Sequence, residues 1–419
     1  MRARDVRIIS EQETIALLAS DAPGELLQTT LAAAGWDLLS WRPGPVHHRP
    51  GAGVTGVFSI EVRRSGPSGR APGTSVPTHA CITSSAIPQP GNRVSSFSRR
   101  GAGALSVWVH PDDPQLPGLP LALDPVRVTP FAFGRGHAAD ATVLDLRSYR
   151  PLRRAVVLAV NGSDRRYLKV LRARTAGPLV ERHRMLRAAG VPAPVLAGDP
   201  LQDVVAMHPA PGTPLAELLM RTGAADVDPH ALVRVLTALP AAVLSLSERP
   251  PWAARVRDYA EGAVAALPSE ADRIRRIAKG IDHAVRSTDA GPLVPTHGDF
   301  YEGNLLMTDG AVSGLLDVDA LGPGHLVDDL ACFLGHIAVL PGLHAGYEHV
   351  PQALLRFLQA FDQHVDPAAL RSRAAAVSLT LIAGARRQAV SEGGVIEALS
   401  RLDVAEQFLV EARILGAGR

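Results

Sequence analysis

The sequence predicts an α+β chain in three parts: a mixed cap over residues 1–125, a β-rich lobe over 126–212 and a helical lobe over 213–419. Three observations predict it. Runs rich in β-branched residues recur through the first half of the chain. From Thr213 onward apolar residues recur at helical spacing almost to the end, as in DPHALVRVLTALPAAVLSL and EADRIRRIAKGIDHAVRS. A polar, non-helical insert at 291–330 interrupts that helical run. The 419 residues are 46% hydrophobic and 20% charged, an ordinary globular composition.

The cap opens with one or two helices over residues 1–40, where LLQTTLAAAGWDLL has helical spacing. VTGVFSIEV (54–62) reads as a strand. Residues 63–104 are loaded with Gly, Pro, Ser and Arg and read as mobile loops around one short strand, THACITS. HPDDPQLPGLPLALDP (110–125) is punctuated by proline and reads as an extended boundary. In the second part VRVTPFAF, ATVLDLRSY, AVVLAVNG and RRYLKVLR read as strands, with Asn161-Gly162 as the hairpin turn between the last two. GPLVERHRMLRAAG reads as a helix ending at Gly190. DVVAMHPAPG reads as a further strand.

Charge and cysteine usage exclude several classes. The 43 basic and 41 acidic residues leave a net charge of +2, so neither nucleic acid nor an anionic membrane is expected as the main partner. Cys81 and Cys332 stand far apart and form no disulfide framework or zinc pattern. No apolar run has the length of a membrane span. MRARDVRIISEQETIALL carries acidic and polar residues where a signal peptide needs an apolar core, so a cytoplasmic location is expected. Oligomeric state is not legible.

The chemistry concentrates in THGDFYEGNLLMTDGAVSGLLDVDALGPGHLVDDLACF. Asn304 follows Asp299 by five residues. A strand, the turn Thr308-Asp309-Gly310 and a second strand then lead to Asp317. A hairpin brings its two ends together, so Asn304 and Asp317 converge on one point with Asp299 beside them. Two carboxylates and an amide oxygen suit Mg²⁺, a hard cation that prefers oxygen. A carboxylate left off the metal can orient a hydroxyl.

These residues resemble the aminoglycoside phosphotransferase and choline kinase family, which carries H-G-D-x-x-x-x-N, a hairpin, an apolar-apolar-Asp and a later aspartate in a DLA-like segment, here Asp329-Leu330-Ala331. The resemblance covers roughly residues 126–419. It implies a protein-kinase-like two-lobe fold with an extra N-terminal α+β cap, similar to that of maltokinases. It implies ATP and Mg²⁺ as cofactors and a small-molecule hydroxyl as acceptor: a sugar, amino sugar, aminoglycoside or amino alcohol. Asp299 would be the catalytic base, Asn304 and Asp317 the metal ligands, and His297 and Asp329 supports of the catalytic loop. Asp309 and Asp319 read better as a turn residue and a partly exposed neighbour, with help at the metal left open for Asp319.

The β-rich lobe offers an independent check. Only two residues in the chain are lysine, Lys169 and Lys279, and only three are asparagine, Asn92, Asn161 and Asn304. Lys169 in YLKVL sits where a kinase-like lobe needs a strand lysine for the phosphates, with Glu181 on the next helix to hold it. Met207 and His208 fall where the hinge would meet the adenine. The chain departs from the kinase plan at the phosphate loop. Arg150-Pro151-Leu152-Arg153-Arg154 stands in place of a glycine-rich sequence, with Gly134-Arg135-Gly136 a weaker second choice. Arginine side chains could do part of the glycines' work there. That departure keeps open an alternative, a pseudokinase or nucleotide-binding module without turnover that acts through the cap. A scaffold whose function resides in residues 1–125 is the other rival.

Overall fold

The computed structural model describes residues 3–49, 51–65, 74–88, 91, 93–99, 103–385 and 392–417. They form two units, Met1–Pro178 with Leu196–His208, and Leu179–Val195 with Pro209–Arg419. The cap and the β-rich lobe thus share the first unit, each with its own sheet and apolar core.

In the cap, α1 (Ala3–Leu18) and α2 (Ala22–Ala33) precede five strands: β1 (Trp36–Arg49), β2 (Gly53–Arg64), β3 (Val76–Thr83), β4 (Ser95–Arg99) and β5 (Gly103–Val109). They pair antiparallel in the order β1-β2-β3-β5-β4. Period-two alternation divides β2 between two faces. Val54, Phe58, Ile60 and Val62 pack on Leu18, Leu26, Leu27 and Leu31 of the helices. Val57 points the other way and joins Cys81 and Trp108. Helix was expected to run to residue 40, but it stops at Ala33. Gly35 takes φ +76°, and Trp36 begins a strand. The serine-rich SSFSR, expected to be loop, is a strand because it pairs along GALSVWV, a case of pairing overriding weak propensity.

α3 (Leu119–Ala122) and α4 (Pro125–Ala132) follow. The strand expected at VRVTPFAF is therefore a helix. The Asp124 carboxylate accepts from the N–H groups of Val126 and Arg127, and Pro125 fills the first helical position. The second sheet is an antiparallel meander of β6 (Thr142–Arg150), β7 (Arg154–Asn161), β8 (Asp164–Leu171) and β9 (Val204–Met207). Asn161 pairs with Asp164, so the β7–β8 turn is Gly162-Ser163, one position later than expected. Gly162 supplies φ +60° at its first central position. The cap strands form their own sheet and do not extend this one. The two meet instead through Val57, Cys81 and Trp108 packed against Tyr149 and Leu152.

The second unit begins with the body of α5 (Ala176–Ala188). It continues with β10 (Thr213–Pro214), α6 (Leu215–Thr222), α7 (Pro229–Thr237), α8 (Val256–Ala266) and α9 (Ala271–Ser287). The non-helical insert holds four short strands, β11 (Val294–Thr296), β12 (Leu305–Thr308), β13 (Ala311–Leu315) and β14 (Gly322–Gly324). Helices close the chain: α10 (Leu326–Val339), α11 (Val350–Phe361), α12 (Pro367–Ala385) and α13 (Glu392–Ala417). Phe333 of α10 stacks edge-on with Phe357 and Phe361 of α11, which fixes α10 and the residues before it on a rigid base. No helix among the described residues is long and apolar enough to cross a membrane.

Candidate active site

β11 pairs with β14 and delivers the chain to His297. The backbone N–H groups of His297 and Gly298 both donate to the Asp329 carboxylate, at 2.7 and 2.8 Å. Asp329 lies on the first turn of α10 and is 2% exposed. Burial pushes its carboxyl up to about 7, against the pull of those two donors, while Asp328 and Asp299 add repulsion. His297 is fully buried. Its Nδ1 accepts the Asp299 N–H, so Nε2 carries the proton and donates to the Leu316 carbonyl at 2.9 Å. One imidazole therefore ties the start of the loop to the end of β13.

Gly298 adopts φ +78°, and a Cβ there would stand 2.7 Å from the Ala320 carbonyl. At this position the positive φ and the close carbonyl together call for glycine. Asp299 follows, half-buried. The Asn304 side chain donates from Nδ2 to the Asp299 carbonyl at 2.9 Å. With that nitrogen committed, its oxygen is the atom it offers a cation. The Leu316 N–H donates to the Asn304 carbonyl, which sets Asp317 next to Asn304 as the hairpin reading expected. The hairpin turn itself is Asp309-Gly310, both at positive φ, between the paired Thr308 and Ala311. Asp317 is half-buried and itself left-handed, at φ +53°, ψ +55°. A non-glycine residue in that conformation carries strain of the kind that marks functional sites. Asp319 stands half-buried on the single 3₁₀ turn that follows. Two carboxylates and an amide oxygen on this loop form an oxygen-only set, which fits Mg²⁺ better than a softer metal.

In the first unit Lys169 lies on the inner strand β8, paired with Val156 and Val205, and is 7% exposed. Burial of this kind matches the inward lysine expected from sequence. Met207 ends β9 and pairs with Tyr167, with His208 next to it. Burial, and to a lesser extent Arg166, holds the His208 imidazole below its usual range. Glu181, expected to hold Lys169, falls in the other unit and stands exposed on α5, whereas His183 takes the buried side.

Glu302, part of the spacer between Asp299 and Asn304 in the sequence reading, is a buried carboxyl that the reading missed. It is 7% exposed, burial pushes it up to about 7, and its Oε2 has no hydrogen-bond partner among the described residues. The only sequence signal was an acidic residue in a segment flanked by Phe300 and Leu305, both of them fully buried. Next to it Tyr301 stacks on His336 at 4.5 Å.

The profile of the phosphotransferase enzyme family matches residues 153–375, more than half of the chain, including every residue of this loop. The chain belongs to the phosphotransferase enzyme family. It is a phosphotransferase whose family region begins at the end of the β6–β7 turn and leaves the cap outside. No curated protein matches the chain. Among solved structures it is similar to a choline/ethanolamine kinase family protein from Mesorhizobium loti, at 17% identity and TM-score 0.46 over 69% of this chain and 98% of that one. It is similar to choline kinase from Cryptosporidium parvum, at 13% identity and TM-score 0.45 over 69% and 95%. A spectinomycin phosphotransferase complexed with ADP and spectinomycin gives 11% and 0.46 over 70% and 97%. These likenesses are distant, and the family profile carries the assignment.

Proposed function

We propose that this phosphotransferase is an ATP- and Mg²⁺-dependent kinase that moves the γ-phosphate to a hydroxyl of a small molecule: a sugar, amino sugar, aminoglycoside or amino alcohol. The observation that carries the reading is the bonded loop from His297 to Asp317. It holds one carboxylate, an amide oxygen and a second carboxylate on a frame clasped by Asp329. In this reading Asp299 orients the acceptor hydroxyl and takes its proton as the oxygen attacks phosphorus. Asn304 and Asp317 would hold Mg²⁺, which when bound would supply positive charge to the transferring phosphoryl group. His297 keeps Asp299 in register. Lys169 contacts the nucleotide phosphates, and Met207 and His208 line the base. Glu181 on α5 is the carboxylate proposed to hold Lys169. The division into cap, nucleotide lobe and catalytic lobe at 1–125, 126–212 and 213–419 belongs to the same proposal.

Catalysis on this plan is mostly positioning and charge neutralisation. The test is a panel of sugars, amino sugars, aminoglycosides and amino alcohols incubated with γ-labelled ATP, wild type against Asp299→Asn. Label should move to at least one acceptor, and the variant should lose about 10²–10⁴-fold in turnover. A wild type that binds MgATP but labels nothing across a broad panel would favour the nucleotide-binding module without turnover.

A further inference from the structure

The turn between β6 and β7 occupies the place of a phosphate loop, and its hydrogen bonds have an unusual destination. In a glycine-rich loop the backbone N–H groups face the phosphates. Here the three residues between the paired Arg150 and Arg154 offer none. Pro151 has no N–H. The Leu152 N–H donates to Asp113 Oδ2 at 2.8 Å, and the Arg153 N–H donates to the Arg150 carbonyl at 3.0 Å. Leu152 holds φ +62°, a left-handed position that costs a leucine about 1–2 kcal/mol and that a type II turn normally gives to glycine.

What holds Leu152 there belongs to the cap. Asp113 is 4% exposed and accepts from three groups: the Leu152 N–H, the Gln115 N–H at 2.9 Å and the Tyr149 hydroxyl at 2.8 Å. The same hydroxyl accepts from Trp108 Nε1 at 3.3 Å, and the Cys81 thiol stands 3.7 Å from it. The Leu152 side chain packs into the Val57, Cys81 and Trp108 cluster, and Pro151 is buried. Arg150 and Arg153 remain exposed on either side of this anchored tip.

We infer that the β6–β7 turn is a side-chain phosphate clamp, in which Arg150 and Arg153 meet the nucleotide's phosphates and Asp113 of the cap locks the turn that presents them. This inference rests on the ATP-dependent reading and deepens it. It gives the cap a task in nucleotide binding and explains how a loop without glycine meets an anion: guanidinium groups replace backbone donors. The lock removes the ordering cost that a free turn would meet on binding. Asp113 is on this account a positioning residue.

The test measures affinity for MgATP and for adenosine, together with steady-state constants, in full-length wild type, Arg153→Gln, Asp113→Asn and Leu152→Gly. Leu152→Gly keeps the N–H, suits the positive φ and removes only the apolar anchor, so it decides the matter if Asp113→Asn does not fold. Each variant should weaken MgATP about tenfold (about 1.4 kcal/mol). Adenosine affinity should stay within about twofold of wild type. Variants that fold and bind MgATP as tightly as wild type would overturn the clamp and leave the kinase reading standing. A wild type that binds no nucleotide would overturn both. Equal losses for MgATP and adenosine would reduce Asp113 to a structural residue and overturn the inference.

Discussion

Gly298→Ala is the sharpest perturbation of the His297–Asp317 loop, because its cost can be worked from geometry alone. The residue holds φ +78° between two N–H groups that matter, those of His297 and Asp299. Placing alanine in that conformation costs about 1–2 kcal/mol. The new methyl would stand 2.7 Å from the Ala320 carbonyl oxygen and 3.1 Å from the Ala320 Cβ. A backbone carbonyl cannot swing aside, so the overlap adds about 1–3 kcal/mol. Stiffening of the unfolded chain returns about 0.4–1 kcal/mol. The net expectation is a loss of about 1.5–4 kcal/mol. The contact also pushes Gly298 away from Asp329 and carries Asp299 with it, and misplacement of about 1 Å at a reacting group can cost 10²-fold in rate. The assay is urea denaturation followed by circular dichroism, paired with turnover on any acceptor the panel identifies. A variant within about 0.5 kcal/mol of wild type and with unchanged turnover would refute the argument that the Asp329 clasp positions Asp299.

Three further perturbations test other parts of the structure. Burial, with Arg401 nearby, lowers the His336 imidazole from 6.5 to about 4, so the fold accepts only the neutral ring. Its contribution is complete above pH 6.5 and is lost as pH falls through 4. At 1.36 kcal/mol per pKa unit the slope is worth at most about 3 kcal/mol, less because the ring keeps an edge to solvent. Stability curves at pH 7, 5.5 and 4 should converge on those of His336→Gln as the acid loss disappears from the variant. Parallel curves would contradict it. Asp328→Ala should cost about 3–5 kcal/mol, because it leaves the Arg373 guanidinium, 6% exposed and bonded to Asp328 at 3.1 Å, without its counter-charge. Asp328→Ala with Arg373→Met should recover much of that loss. Asp124→Ala should cost about 1 kcal/mol by removing the α4 cap, read as a lower urea midpoint for the first unit.

The His297–Asp317 loop was the most legible part of the sequence because its logic is local. The spacing from Asp299 to Asn304 and a short hairpin to Asp317 fix which residues meet, whatever surrounds them. Lys169 stood out for another reason: lysine is so rare here that one in a strand is conspicuous, and the structure buries it on β8. The misses arose where distant pairing or an overlooked cap decides. SSFSR became a strand only because GALSVWV lies alongside it. VRVTPFAF has strand-like residues, yet Asp124-Pro125 in front of it starts a helix. Glu302 and Asp113 were invisible because burial, not residue type, makes them notable.

The central claim, that the His297–Asp317 loop serves a metal–nucleotide complex, is tested most directly by ATP binding with and without Mg²⁺, wild type against Asp317→Ala, by calorimetry or thermal shift. The account predicts stabilisation by ATP that requires Mg²⁺ in the wild type and disappears in the variant while the unliganded melting temperature holds. Binding that is equal with and without the metal, or equal in both proteins, would contradict it.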